Sequence, residues 1–349
     1  HPGFIVYRNG PGPVWVCPHT GPTIEVSTSR DQWSDTIASQ CWLKMGGTLI
    51  ISTMPRKQMY GTDYNREQPS KSSSLNVWSD FVMDENKVKL YKYRNEYAWT
   101  SFNGVDHYNR QKIYNDFWRT VQRSGNIIVF AHSLFTRIKN FPSVMDFITY
   151  QGRGVKKELI DTIVKKTNEN YEDFFKHMSK HYKNGIIHEH GRVVGRIKEI
   201  FSEFDMDKMK VEFKKNVQND LIVIKKYADK KVYNRLEKNF NEKNYIAAIK
   251  SALRKDNVRP HITVESIFKG QKALKMKNHL FKKNSIVMEV ETSNFFGYWY
   301  PKQASNIIMD ILNDIVSIDK YRKMGTKQMD ILNFMKKGEL SGAKKISGK

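Results

Sequence analysis

Four short runs of apolar residues punctuate the chain: "VWVC" from Val14, "TLIIST" from Thr48, "NIIVFAHS" from Asn126 and "NSIVMEVETS" from Asn284. Each has the length of a strand, and runs without polar interruption belong to strands buried on both faces. Segments with helical spacing lie between and after them. "DTIASQCWLKM" places Ile37, Ala38, Cys41, Trp42 and Met45 on one face and stops at Gly46-Gly47, a pair suited to ending a helix. "YNRQKIYNDFWRTVQRSG" and "KQASNIIMDILNDIVSIDKY" are amphipathic in the same way. Residues 67–105 are polar and rich in Ser, Asn and aromatics, and read as loops or a hairpin around "KLYKYRNEYAW". Strands alternating with helices predict an α/β protein with a mainly parallel or mixed sheet covered on both faces.

The pattern changes in the middle. Residues 151–284 are mostly helical in period and hold 32 Lys and Arg against 17 Asp and Glu, which is +15 of the chain's +23. No fixed repeat is visible. The organisation expected is therefore residues 1–150 as the N-terminal part of an α/β domain and 151–284 as an inserted basic helical region. Residues 285–334 supply the strand and helix that complete the domain, and 335–349 form a small, polar, disordered tail.

Composition narrows the classes. Seven Trp, 17 Tyr and 19 Phe in 349 residues exclude a wholly disordered chain. No apolar run approaches the roughly 20 residues of a membrane-spanning helix. Cys17 and Cys41 are the only cysteines, too few for a disulfide framework or a thiolate metal cage, so a reducing, cytoplasmic compartment is expected. A single bridge between them is not needed. The chain opens on His1 rather than Met, which leaves room for a segment removed ahead of it. The strong positive charge favours acidic partners, including nucleic acid.

Three strand ends carry groups with chemistry. His19 follows "VWVC", His132 lies in "NIIVFAHS", and Glu289 and Glu291 lie in "SIVMEVE". Ligands collect beyond the carboxyl ends of parallel strands, so these groups can share one crevice. Two His and a carboxylate form a common catalytic zinc set, and a zinc ion so held activates water and polarises a carbonyl. A further Glu then serves as proton shuttle. Period-two alternation puts Glu289 and Glu291 on one face, with Glu291 nearer the strand end.

"PHTG" from Pro18, "GTDYNREQP" from Gly61, "FAHS" from Phe130 and "VMEVET" from Val287 occur in an order that resembles the N-formylglutamate amidohydrolase family. These are zinc hydrolases related in fold to the carboxypeptidase and aspartoacylase group. The resemblance covers residues 12–135 and 284–317 and leaves the basic middle unexplained. It implies a sheet of the zinc-peptidase-like (phosphorylase/hydrolase-like) type and hydrolysis of an amide in an N-acyl amino acid or peptide-like substrate bearing a carboxylate. It implies Zn2+ held by His19, His132 and an acid, with Asp35 fitting best and Asp31 or Glu25 as alternatives. Glu291 or Glu289 is then the catalytic acid–base group. Asn65 and Arg66 resemble the pair that grips a substrate carboxylate. Arg56 is a second candidate cation and His107 a candidate substrate contact. Phe130 stands where the family carries the Asp of its Asp-x-His motif, so the carboxylate that would orient His132 is missing or replaced.

The other reading is a degenerate hydrolase fold that serves as a nucleic-acid or polyanion-binding protein through its basic insertion. Other signals are weaker. His188 and His190 alternate, and His177 and His181 stand four apart; all four read as surface or packing residues. "GRGVKK" lacks P-loop spacing and reads as a linker.

Overall fold

The computed structural model describes residues 2–22, 30–56, 61–84, 96–201, 214, 217–254, 258–282 and 284–318. Glu25, most of the expected hairpin and the whole of the 335–349 tail lie outside them. Four strands form where continuous apolar sequence predicts them: Val14–Cys17 (β2), Gly47–Ser52 (β3), Ile127–Leu134 (β4) and Ile286–Ser293 (β7). Three more complete a seven-stranded sheet: Phe4–Asn9 (β1), Ser143–Ile148 (β5) and His261–Val264 (β6). The spatial order is β1-β3-β2-β4-β7-β5-β6.

The sheet is mixed. β3, β2, β4 and β7 run parallel to one another, and β5 runs parallel to β6. β1 is antiparallel to β3, and β5 is antiparallel to β7. The parallel block brings the carboxyl ends of β2, β3, β4 and β7 to one edge.

Side-chain alternation divides the core into two layers. Trp15, Val129, Met288 and Val290 face a layer that also holds the helices Ser34–Met45 (α1) and Pro301–Ser317. Val16, Ile128, Phe130 and Val287 face the opposite layer, against the helix Gly104–Ser124. α1 ends at Gly46, whose φ of 70° is a left-handed backbone conformation easily reached only without a Cβ. Cys17 and Cys41 are both buried and both free.

Residues 71–84 form a helix (α2) rather than the loop or hairpin expected there. The run "KSSSLNVW" hides its helical tendency behind serines, which compete for backbone hydrogen bonds.

The basic stretch is helical, as expected, yet it is not a separate appendage. Its helices Lys157–Asn170, Glu172–Phe201 (α5), Gln218–Tyr227 and Glu242–Leu253 (α8) place Ile160, Phe175, Met178, Ile224 and Ile249 in the same apolar layer as the sheet. β6 and the helix Gln271–Lys277 (α9) also come from this stretch. The Gly152–Gly154 turn is no linker: Gly154 N donates to Thr149 O at 3.0 Å, and Val287 N donates to Gly154 O at 3.3 Å.

His177, His181, His188 and His190 all lie on α5. His190 is a packing residue, fully buried. Its Nε2 accepts from the Ile138 N–H at 2.9 Å, and its Nδ1 lies 3.0 Å from the Tyr245 hydroxyl, which donates to Asp220. Burial pushes its pKa down to about 4, against the opposing pull of Asp220. In the unfolded chain the ring titrates near its ordinary value of about 6.5.

The stability that neutral His190 confers is therefore complete above pH 6.5. It drains as the pH falls toward 4, by up to about 3 kcal/mol. Urea unfolding midpoints are expected to fall between pH 7.5 and pH 5, and to fall less for His190→Gln, which keeps an acceptor but cannot charge. An unchanged slope in the variant places the acid sensitivity elsewhere.

Candidate metal centre

The loop after β2 carries Pro18, His19, Thr20 and Gly21. It has little room to move. A Cβ on Gly21 would stand 2.0 Å from the Met54 carbonyl oxygen, so only glycine fits this approach to the loop after β3. Thr20 Oγ1 donates to Ser52 O at 3.0 Å and ties the same two loops. The His19 side chain is thereby aimed along the sheet edge toward β4. His132 reaches the same point from within β4, where it pairs in register with Glu291 of β7.

The two imidazoles meet through their Nδ1 atoms, 3.2 Å apart. Asp31 Oδ2 closes the triangle, 3.2 Å from His19 Nδ1 and 2.6 Å from His132 Nδ1. All three residues are buried. An ion bound tetrahedrally at about 2.0–2.1 Å holds its ligand atoms about 3.3 Å apart. Two edges of the triangle match that spacing and the third is contracted. These three groups could hold a metal ion, and His132, Glu289 and Glu291 form a second, overlapping set of possible ligands.

Asp31, not Asp35, supplies the carboxylate. Asp31 lies in the loop ahead of α1, and its N–H donates to His19 O at 2.9 Å, which binds that loop to the histidine loop. Asp35 is already inside the first turn of α1. Its carboxylate accepts from Thr36 N at 2.9 Å and faces Arg30 at 3.4 Å, away from the triangle. Burial opposes ionisation of Asp31, but His19 and His132 outweigh it and hold the carboxyl well below the usual range.

The outer groups fix the imidazole orientations. His19 Nε2–H donates to Asp63 Oδ1 at 2.9 Å, which leaves the Nδ1 lone pair for the triangle. Arg56 holds Asp63 Oδ2 at 2.9 Å and lies 3.7 Å from Asp31. Arg56 thus belongs to this ion-pair network while also lining the cavity. Asn65 likewise stands behind a ligand, with its amide nitrogen 3.1 Å from His132 Nε2. Its Oδ1 is buried without a partner. Turning the amide over points Oδ1 at Nε2–H, pairs the orphaned oxygen and frees the His132 Nδ1 lone pair for an ion. The residues present thus fit a metal, and Asn65 supplies the orienting group that Phe130 cannot.

Glu289 and Glu291 share a face but differ in company. Glu289 Oε2 accepts from Lys277 Nζ at 2.6 Å and from the Tyr150 hydroxyl at 2.8 Å. Lys277 is fully buried, with its Nζ 3.9 Å from the centroid of the Phe130 ring. Phe130 therefore carries the cation that anchors Glu289. Burial alone would raise the Glu289 pKa, but Lys277 and His132 bring it down to about 2. Among the described residues no cation is bonded to Glu291. Burial first, and then the charges of Glu289 and Asp31, push its carboxyl well above the usual range.

The centre forms the floor of a cavity of about 660 Å³, which Arg30, Arg66, Lys139, Lys269 and Phe268 also line. Arg66 faces it with Nη1 bonded to Asn65 O at 3.0 Å. His107 does not line it. The first turn of the helix 104–124 turns this ring toward Ser74 and Trp99, 2.9 and 3.4 Å from its Nδ1, inside the aromatic layer. Sequence reasoning missed Asp63 as the partner of His19, although it stands in the quoted "TDYNR", and missed Lys277 and Tyr150 altogether. Nothing local marks Lys277 among the lysines around it.

Among the described residues no helix is long and apolar enough to cross a membrane. Compared with known protein families, curated proteins and solved structures, the chain matches none.

Proposed function

We propose that this protein is a zinc-dependent amidohydrolase acting on a carboxylate-bearing N-acyl amino acid or peptide-like substrate, in a fold of the zinc-peptidase-like type. The observation that carries the reading is the triangle of His19 Nδ1, His132 Nδ1 and Asp31 Oδ2 beside an acid with a raised pKa, on the floor of a cation-lined cavity. When bound there, zinc would polarise the scissile carbonyl and acidify water.

The chain's own residues do the rest. His19, His132 and Asp31 are the ligands, oriented by Asp63 and Asn65. Glu291, the carboxyl of the pair with the greater affinity for a proton, in its ionised form takes a proton from the attacking water and delivers it to the departing nitrogen. Glu289 is unsuited to that exchange, because Lys277 and Tyr150 keep it ionised. Arg66 at the cavity wall binds the carboxylate of the substrate, a pairing for which the planar guanidinium is well shaped. Arg30, Lys139 and Lys269 keep the mouth positive and draw anionic substrates inward.

Metal analysis after zinc loading is expected to give about one equivalent per chain. That equivalent is lost in His132→Ala and Asp31→Ala and kept in Asp35→Ala; Asn65→Ala weakens affinity by about 10–100-fold. Wild-type protein that holds no divalent ion overturns the reading.

Against a panel of N-formyl and N-acetyl amino acids, Glu291→Gln is expected to lower kcat by about 10²–10⁴-fold with zinc content unchanged. Glu289→Gln acts differently. It leaves Lys277 buried and unpaired and destabilises the fold by about 3–5 kcal/mol, seen as a lowered urea midpoint. Full activity in Glu291→Gln removes the assignment of the base.

A further inference from the structure

A second cavity lies away from the metal centre, between α5 and α8. It is an open groove of about 600 Å³ lined by Lys176, Lys180, Lys183, Lys250, Arg254 and Arg259, and none of its described lining residues is acidic. The spacing explains the arrangement. Lys176, Lys180 and Lys183 recur at i, i+4 and i+7 along one face of α5, while Lys250 and Arg254 stand one turn apart at the end of α8. Arg259 pairs with Glu172 at 2.8 Å and Lys183 is also engaged; Lys176, Lys180, Lys250 and Arg254 complete the basic lining. Like charges gathered in one concavity repel one another and are relieved by an anion that spans them.

A row of exposed rings starts from the same helix, at His181, about 100° round its axis from Lys180. His181, next to Lys180 on α5, packs against Trp299 with centroids 4.9 Å apart. Trp299 packs against Tyr298 at 4.8 Å, and Tyr298 against Trp33 at 4.9 Å. Tyr298 and Trp299 are 52% and 54% exposed, although each has ring neighbours that hold it in place. Large rings left in water forgo burial that the core would supply. The row ends at Trp33, two residues from the metal-centre carboxylate Asp31.

We infer that the groove and the ring row together bind single-stranded nucleic acid. The phosphodiester backbone supplies the evenly spaced negative charge that the six cations call for, and unpaired bases supply flat faces for the rings. A duplex hides those faces within its own stack, so it meets the cations but gains little from the aromatic row. This binding is a property of the basic stretch and of the short helix Asn294–Trp299, and it does not depend on amide hydrolysis.

The test is fluorescence anisotropy on the full chain with a labelled 20-nucleotide oligothymidylate, a 20-base-pair duplex, heparin as competitor, and phosphatidylserine vesicles in a parallel flotation assay. Single-stranded binding tighter than duplex binding is expected, weakening as salt rises. The triple variant Lys176→Glu, Lys180→Glu, Arg254→Glu changes only exposed positions. It is expected to weaken binding at least tenfold and to flatten the slope of log affinity against log salt by about 2, from three lost contacts at about 0.7 each on single strands.

Trp299→Ala is expected to weaken the single strand by about tenfold, within the range for loss of one stacked base, and to leave the duplex unchanged. Unchanged melting temperatures confirm that both variants fold. Equal loss on strand and duplex in Trp299→Ala, an unaffected triple variant, or binding to vesicles without binding to the oligonucleotide each overturn the inference.

Discussion

One carboxylate shared between two buried imidazoles organises this molecule. Asp31 reaches His19 and His132 with the same oxygen, and both rings are almost wholly buried. Groups of this kind are costly to bury unless their partners are placed for them beforehand. The sheet does that placing. β2 and β4 are parallel neighbours, so the loop after one and the last residues of the other reach the same edge, and the backbone bond from Asp31 N to His19 O draws the third group in. The second rank, formed by Asp63, Arg56 and Asn65, then leaves few arrangements open to the first.

The two glutamates of β7 show how neighbours separate like groups. They are two residues apart and point the same way, and a strand alone would make them equivalent. Lys277 and Tyr150 single out one of them and keep it charged. That standing negative charge is then part of what raises the proton affinity of the other. The asymmetry comes from the helix 271–277 and from the end of β5, neither of which belongs to the parallel block.

The parts legible in the sequence share a physical cause. The four central strands, the helices that follow them and the convergence of residues 19 and 132 are visible because burial on both faces forces continuous apolar runs, and because parallel order fixes which ends meet. β1 was not legible: it is an edge strand on which only Phe4 is buried, so its pattern carries almost no period. The choice between Asp31 and Asp35 turned on where α1 begins, a boundary that spacing does not fix to within a turn. The roles of Arg56, Asn65 and His107 depend on contacts across the fold. Asn65 and Arg56 look like substrate contacts by type, and only the fold reveals that they also touch His132 and Asp63.

The Lys277 clamp also bears on how such a chain can change over generations. The basic stretch looks, by composition, like a block that deletion could remove without harm to the rest. Yet it ends by delivering a sheet edge strand and the single amine that neutralises Glu289. Losing it whole would expose the margin of the sheet and strand an acid in the interior. Shortening the chain ahead of His261 would in turn uncover the apolar layer that Phe175, Met178 and Ile249 share with the sheet.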